Sequence, residues 1–294
     1  MELIDIIQAI FDGVMKGSTY ALIGIGFTLI FGVMHKLNLA YAAASIAGAY
    51  ASLTLMSLFP EASAFFVFLM AVFVSGILGY LVYLLCFKFI PHANQLATLM
   101  STVGMLFFIE EVVVHTTDGM PVPYPAMPFD EYYWFGDFSV RGDLILIFLF
   151  SVIATLLLLY MLYRTRLGIA TRAVAQQPIA ARLAGISIEK TNAVTFVMTG
   201  LLGGLAGAMI GASVSVLSPL IFIPVTVKGL IVTVIGGLGS IPGAIVAGLL
   251  VGGFEELFLV LRGVTERDIY IMLLLFVFLT FRPGGIFSRS AERD

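Results

Sequence analysis

The feature that most constrains the fold of this chain is a succession of long apolar segments separated by short polar breaks. Most of these segments approach the roughly 20 residues that a helix needs to cross the hydrocarbon core of a bilayer. Hydrophobic residues make up 60% of the chain and charged residues 11%, against about 45–50% and about 25% in soluble domains. A soluble core could not hide so much apolar surface, so the bilayer is the expected solvent. The predicted spans are residues 13–34, 40–58, 64–87, 96–116, 143–163, 192–214, 219–236, 240–262 and 268–281.

These segments predict helices, because they are far longer than the roughly 9–11 residues of a membrane-crossing strand. We therefore expect an all-α, polytopic integral membrane protein with eight or nine transmembrane helices, forming a single domain over residues 1–294. Segment 40–58 could instead be broken or re-entrant, and segment 268–281 is short. Residues 1–12 are expected to form an interfacial amphipathic helix; they carry no basic leader and no small-residue cleavage site, so we expect no removed signal peptide.

The distribution of charge predicts an orientation. Basic residues concentrate in the 164–190 break and in the 282–294 tail, whereas the 117–142 break is acidic. By the positive-inside rule, the first two regions are cytoplasmic and the 117–142 loop is outside, with the N-terminus outside and the C-terminus inside. The outer loop combines four prolines with a run of aromatic residues. It could be a docking platform for an extracytoplasmic partner or an ordered loop with an aromatic anchor.

Glycines recur at three- and four-residue spacing on one face of several predicted helices, as in residues 200–211 and 239–252. Small residues let helices approach closely in lipid, where larger apolar side chains gain little over contact with lipid tails. We interpret these faces as packing surfaces, with a sliding seam between two moving halves as the alternative.

A short helix is predicted over residues 178–185, within the cytoplasmic break. Pro178 suits the first helical position and Gly185 the position just past the end. Ile179 and Leu183 lie four residues apart and therefore share one face, with Arg182 beside them. Such a helix is too short to be stable alone in water, so either the rest of the protein or a partner must hold it. A flat lid at the membrane interface is the alternative.

Several motifs along nearly the whole chain carry a family resemblance. They are Gly17-Ser18-Thr19-Tyr20-Ala21-Leu22 with Gly26, Gly32 and Asn38, Gly168-x3-Arg172-Ala173, Ala180-Ala181-x3-Gly185-Ile186, Lys228 followed by Gly236-Gly237-Leu238-Gly239-Ser240-Ile241-Pro242-Gly243-Ala244, and Arg282-Pro283-x-Gly285-Ile286-Phe287. Together they resemble the permease subunits of bacterial ABC importers, and more narrowly those of the branched-chain amino acid family. The chain departs from the family at Ile179, where glutamate is frequent, and at Leu39-Ala40-Tyr41-Ala42, where Phe-Ala-His-Gly is usual.

The resemblance implies that the 178–185 helix is a coupling helix that inserts into a cleft on a separate ATP-binding subunit. It implies a second homologous permease subunit, two ATP-binding subunits that bind ATP-Mg, and an extracytoplasmic substrate-binding protein as partners. The chain itself would bind no cofactor and no nucleic acid, and would lie among the lipids of the bacterial plasma (inner) membrane. The implied cargo is a branched-chain amino acid or a related small amide or carboxylate. The expected coupling residues are Arg172, Pro178, Ile179, Ala180, Ala181, Arg182, Leu183 and Gly185.

Ionisable residues inside apolar segments mark a candidate translocation path. A charged side chain at the membrane centre costs about 2.5–3.5 kcal/mol on insertion scales, so it is expected to have a partner. We expect Lys228 and Glu255 to form an internal pair near the substrate route, and Glu110 to add negative potential at the outer mouth; structural ion pairing is the alternative. The full set of candidate path residues is Asn38, Tyr41, Glu110, Lys228, Gly236, Gly237, Gly239, Ser240 and Glu255.

Several function classes are excluded by the motifs that the sequence lacks. It contains no Walker A motif, so ATP binding through that motif is excluded, and it contains neither HExxH nor G-x-S-x-G. One cysteine and three scattered histidines give no metal-ligand pattern. We therefore expect a transporter permease and not an enzyme, energised by another chain. The alternative is an ion-coupled secondary transporter of amino acids, in which the glutamates are ion sites.

Overall fold

The computed structural model describes residues 3–59, 63–90, 95–125, 127, 131–135, 138–282 and 284–287. The described chain is a helical bundle, which confirms the all-α prediction. Its helices are α1 (Leu3–Met34), α2 (Ala40–Leu58), α3 (Ala64–Val82), α4 (Gln95–Thr116), α5 (Gly142–Arg164), α6 (Arg166–Gln176), α7 (Pro178–Leu183), α8 (Ile188–Val214), α9 (Phe222–Gly236), α10 (Ile241–Arg262) and α11 (Val264–Phe281). A π-helical turn, Tyr83–Lys88, extends α3, and a 3₁₀ turn, Pro219–Ile221, precedes α9.

Seven helical segments in the described ranges are long and apolar enough to cross a membrane. The helices α2 and α11 are not among them. The helix α2 is rich in alanine and serine and is buried inside the bundle from Ala40 to Tyr50, while α11 carries three consecutive charged residues near its start, Glu266 to Asp268. A polytopic membrane protein is confirmed, whereas the count of eight or nine crossings stays a prediction.

The first span and the predicted interfacial segment form one continuous helix. With 32 residues, α1 is about 48 Å long at 1.5 Å per residue, longer than the roughly 30 Å hydrocarbon core. Near its start, the Gln8 side chain donates a hydrogen bond to Ser139 Oγ at 2.9 Å. No helix break separates residues 3–12 from the span, and their depth in the membrane stays a prediction. Met1 and Glu2 lie outside the described residues.

Glycine contacts bring the backbones of α1 and α10 close together. A Cβ atom built on Gly13 would lie 2.5 Å from the Gly252 carbonyl oxygen, and one on Gly17 would lie 2.6 Å from the Gly248 carbonyl oxygen. The helices α3 and α8 approach in the same way at Gly79. Because any side chain would collide with backbone there, these contacts support the packing role predicted for the glycine faces.

The connection between α4 and α5 is tied to the end of α8. Strand β1 (Val122–Pro123) pairs antiparallel with β4 (Val216–Leu217), while β2 (Tyr132–Phe135) and β3 (Phe138–Arg141) form a hairpin. Tyr124 is buried, packs its ring on Gly211, and makes an edge-on contact with Phe68 at 6.0 Å. The loop is therefore ordered where it is described; residues 126, 128–130 and 136–137 of the predicted 117–142 loop lie outside that part. We call this end of the bundle the strand end.

The opposite end of the bundle carries α6, α7 and the last described residues of the chain, and we call it the α7 end. Beyond Arg282, the backbone returns to the C-terminus of α9: the Ile286 N–H donates to the Ile235 carbonyl at 2.8 Å, and the Phe287 N–H donates to the Gly236 carbonyl at 3.3 Å. The predicted tail therefore begins by packing on the bundle. Its residues 288–294, and Pro283, lie outside the described chain.

Candidate functional sites at the two ends of the bundle

The predicted short helix is present as α7, with the ends that the sequence indicates. Pro178 occupies its first turn, and Gly185 follows its end with a φ of +83°. The Ile186 N–H donates to the Ala181 carbonyl and the Gly185 N–H donates to the Arg182 carbonyl, each at 3.0 Å. These two bonds form a Schellman closure, which satisfies carbonyls that the helix end would leave free. Gln177 makes no side-chain cap bond.

The surface that α7 presents is apolar. Ala181 faces the protein and is buried, whereas Ile179 and Leu183 are 74% and 86% exposed. Arg182 and Ala180 are also exposed. A partner that covers these two large aliphatic side chains gains a favourable free energy of about 1.5–3 kcal/mol for each side chain that becomes fully buried. The geometry suits a docking element.

Arg172 has a different place from the other predicted coupling residues. It lies on α6, and its guanidinium group lies 4.8 Å from the centre of the Tyr163 ring at the end of α5. The corner before it is closed by Thr165, whose side chain accepts a hydrogen bond from the Gly168 N–H at 3.2 Å, and by Gly168, which packs against the backbone of Met161 and Leu162. Arg172 therefore braces α6 on α5.

A cavity of about 480 Å³ lies at the α7 end. Its walls come from α1, α5, α6, the turn between α9 and α10, and Phe287. Gly239 and Ser240 line it together with Arg172, so the predicted turn faces the same space as the coupling loop. Ser240 also caps α10, because its Oγ accepts a hydrogen bond from the Gly243 N–H at 3.3 Å.

Gly236 and Gly237, the other glycines of this turn, shape the backbone and do not line the cavity. A Cβ on Gly236 would lie 2.5 Å from the Gly243 carbonyl carbon. Gly237 has a φ of +99° and packs against Gly285 of the returning tail. Only glycine adopts such a backbone without strain. Their role is to reverse the chain closely between two helices.

A second cavity, of about 440 Å³, lies at the strand end and contains the predicted ion pair. Lys228 Nζ of α9 lies 2.7 Å from Glu255 Oε1 of α10, and the two side chains are only 12% and 7% exposed. The Tyr20 hydroxyl of α1 lies 3.5 Å from the same ammonium group. The structure thus brings Lys228 and Glu255 together on a cavity wall, while their part in translocation stays a prediction.

Sequence reasoning missed three other charged residues of this cavity, Lys16, Arg267 and Asp268. Arg267 Nη1 lies 3.3 Å from Glu255 Oε1, and Asp268 Oδ1 lies 3.8 Å from Lys228 Nζ. A further pair, Lys16 and Glu256, joins α1 to α10 at 2.9 Å. In the sequence, Arg267 and Asp268 stand side by side at the start of an apolar segment, but nothing local specifies that they reach this cavity. Three positive and three negative residues therefore share the cavity: Lys16, Lys228, Arg267, Glu255, Glu256 and Asp268.

Besides Gly236 and Gly237, three predicted path residues line neither of these two cavities: Asn38, Tyr41 and Glu110. Asn38 and Tyr41 are both buried, each 2% exposed. The Tyr41 ring fits against the backbone of Gly26 and Gly203 and stands edge-on to Phe27 at 5.1 Å. Glu110 lies on α4, away from the cavity walls, and is only partly buried. A path role for these three residues stays a prediction.

Lys36, two residues before Asn38, is a buried cation that the sequence reasoning did not single out. Its ammonium group donates a hydrogen bond to Thr98 Oγ1 at 3.0 Å. Burial lowers its pKa, because the charged form loses hydration. This contact ties the α1–α2 connection to the start of α4.

Comparison with known proteins decides the family. Residues 9–280 match the family model described as the permease component of branched-chain amino acid transport systems. The chain belongs to this family. It is 31% identical to the high-affinity branched-chain amino acid permease BraD of Pseudomonas aeruginosa, over 98% of this chain and 97% of the relative. It is 29% identical to LivH, the corresponding permease of Escherichia coli, over 96% of each chain.

A solved structure gives the same fold. The chain resembles one chain of PsaBC from Streptococcus pneumoniae, determined in complex with a Fab, at a TM-score of 0.50 and 12% identity, over 93% of this chain and 89% of that one. At this identity the likeness shows the fold alone. Family membership confirms the prediction of an importer permease subunit that is not itself an enzyme. The comparisons give no support to the ion-coupled alternative.

Proposed function

We propose that this chain is one of two membrane subunits of an ATP-driven importer that carries branched-chain amino acids into the cell across the bacterial inner membrane. The observation that carries the proposal is the exposed apolar face of α7, formed by Ile179 and Leu183. The named relatives, which are branched-chain amino acid permeases, support the cargo. ATP-Mg would bind to two partner subunits beneath α7.

The two cavities support a path along α1 and α10. One lies at each end of this closely packed helix pair, and each has both polar and apolar walls. A branched-chain amino acid has two charged groups and an apolar side chain. The strand-end cavity offers partners for the charged groups and for the side chain. The opposite charges of Lys228 and Glu255 line it together with apolar residues such as Ile210 and Leu259. We assign the strand-end cavity to substrate entry and the α7-end cavity to release.

This assignment requires a defined orientation. The proposal places the strand end, with the 117–142 loop, outside the cell, where a substrate-binding protein docks. It places α7 and the C-terminus in the cytoplasm. Support comes from the positive-inside rule and from the exposed aromatic side chains at the strand end, among them Trp134, which is 71% exposed. A second, homologous permease subunit would complete the path.

Co-purification with the ATP-binding subunits tests the proposal. We expect the double variant Ile179→Ser/Leu183→Ser, and separately deletion of residues 180–185, to lose the ATP-binding subunits during affinity purification in mild detergent. The matched control is Met120→Ser, which removes an apolar side chain that is 68% exposed at the opposite end. The control should retain the complex. Full retention of the ATP-binding subunits by both α7 variants, at normal membrane abundance, would reject the proposal.

A further inference from the structure

The first turn of α11 reaches into the strand-end cavity and contacts both members of its central ion pair. Arg267 Nη1 is 3.3 Å from Glu255 Oε1, and Asp268 Oδ1 is 3.8 Å from Lys228 Nζ. Arg267 also lies 3.4 Å from Asp268 itself. Two neighbouring residues of α11 thus present a cation to the buried anion and an anion to the buried cation.

The four side chains differ in depth. Lys228 and Glu255 are 12% and 7% exposed, whereas Arg267 and Asp268 are 25% and 54% exposed. The α9–α10 pair therefore forms the deep wall of the cavity, and the α11 pair lies over it on the more open side. Ion pairs with one well-exposed member are weak, at about 0.2–1 kcal/mol. The Asp268–Lys228 contact is of this exchangeable kind, and Arg267, at 25% exposed, lies nearer the open side than the Glu255 carboxylate that it contacts.

The attachment of α11 allows such an exchange. A single residue, Gly263, joins α10 to α11, with φ +88° and ψ 177°, a backbone region that is essentially restricted to glycine. The rest of α11 packs through a small apolar cluster in which Ile271 meets Ile231 and Val251. The charged first turn lies between this cluster and the glycine, so it can tilt without unpacking the helix.

The contacts of α11 match those that a free amino acid would make. An α-ammonium group pairs with a carboxylate, and an α-carboxylate pairs with a lysine, as Arg267 and Asp268 do with Glu255 and Lys228. We propose that Arg267 and Asp268 determine specificity by occupying the positions of the substrate's two charged groups, and that the substrate displaces both at once. This inference rests on the proposed function and adds the residues that discriminate at its entry cavity.

The displacement of Arg267 and Asp268 favours a ligand whose ammonium and carboxylate groups are bonded to the same carbon. A ligand with only an ammonium or only a carboxylate group replaces one of the two contacts and leaves the second charge of α11 in place over the pair. A zwitterion replaces both, so the net charge of the cavity does not change when it binds. The amino-acid backbone is recognised in this way without any contact to its side chain.

The test uses the complete importer, reconstituted with its ATP-binding subunits and binding protein. The variant is Arg267→Gln/Asp268→Asn, with Glu266→Gln as the matched control because Glu266 is exposed and makes no ion pair among the described residues. One readout is the labelling rate of Ser213→Cys, a cavity-wall position, by a membrane-impermeant maleimide in a Cys86→Ala background. The second is the split between KM and kcat for ATP-driven leucine uptake.

We expect the double variant to label between about two- and thirtyfold faster and to lower KM by a similar factor at unchanged kcat, because the two ion pairs of α11 no longer compete with substrate. The conservative variant Arg267→Lys/Asp268→Glu keeps both charges and should behave as wild type. If substitution at these two positions disrupted folding, this variant would also be impaired. Labelling and KM equal to those of the Glu266→Gln control, with normal leucine uptake, would overturn this inference alone. Absence of branched-chain amino acid uptake by the wild-type importer would instead overturn the proposed function.

Discussion

The buried ion pair gives the sharpest quantitative prediction, because Lys228 and Glu255 do not keep equally good charged partners when the other member of the pair is removed. Glu255→Gln removes the buried carboxylate that lies 2.7 Å from the Lys228 ammonium group and 3.3 Å from the Arg267 guanidinium group. The Lys228 ammonium then has Asp268 at 3.8 Å, an anion that is 54% exposed. Breaking a buried pair by removing one partner costs about 3–5 kcal/mol, and an exposed pair restores only about 0.2–1 kcal/mol. We expect a loss of stability of about 3–4 kcal/mol.

Lys228→Met should be milder. Glu255 keeps Arg267 at 3.3 Å, so its carboxylate stays paired, and methionine fills most of the lysine volume. We expect a loss of about 1–2 kcal/mol, since one charged partner remains. The double variant replaces the pair by neutral groups of similar size, which is far less costly than leaving one charge unpaired. Its stability loss should therefore be smaller than the sum of the two single losses.

The assay is thermal unfolding of the purified importer, followed by size-exclusion chromatography of a fluorescently tagged permease subunit. At about 2–4 °C per kcal/mol, Glu255→Gln should lower the midpoint by about 6–16 °C and Lys228→Met by about 2–8 °C. Leucine uptake is measured on the same preparations, and we expect it to fall in both single variants. Equal midpoints for the two variants, or strictly additive losses in the double variant, would refute the asymmetry argument; unimpaired uptake in both would exclude the pair from the path.

Three further predictions follow from the packing and from the end of α7. Gly252→Ala should destabilise the permease by about 1–3 kcal/mol in the same thermal assay, because the new methyl group meets the backbone of α1. The matched control is Gly104→Ala, which has open space around it and should be neutral or stabilising. Tyr124→Ala should lower the unfolding free energy by about 3–5 kcal/mol, since it empties a buried aromatic site, and a limited-proteolysis assay should show earlier cleavage of the loop. Gly185→Ala should weaken recovery of the ATP-binding subunits, because its φ of +83° strains any other residue; undiminished recovery would argue against a defined α7 end.

Elements determined by local sequence were predictable. The bounds of α7 followed from Pro178 and Gly185, whose preferences act within one helical turn. The Lys228–Glu255 pair followed from the cost of an unpaired charge in lipid, which requires a partner of opposite sign wherever the fold places it. The glycine packing faces followed from spacing alone. In each case the signal for the structural feature lies in the residue type and in its spacing along the chain.

Elements determined by tertiary placement were not predictable. The position of Arg267 and Asp268 over the ion pair depends on the angle at which Gly263 attaches α11. Likewise, Tyr41 fills a notch between glycines of α1 and α8, a contact that its departure from the family pattern does not specify, and its path role stays a prediction. The continuity of α1 depends on partners such as Ser139, which is 131 positions away from Gln8. No local signal in the sequence specifies such contacts.

Reconstituted uptake shows most directly whether ATP or an ion gradient drives transport. The permease is reconstituted into sealed proteoliposomes with its partner permease, the ATP-binding subunits and the binding protein, and labelled leucine uptake is measured. For an ATP-driven importer, we expect uptake that requires ATP and the substrate-binding protein, is unaffected by ionophores that collapse proton and sodium gradients, and is lost with Ile179→Ser/Leu183→Ser. Uptake that persists without ATP and disappears when the ion gradients are collapsed would show an ion-coupled transporter instead.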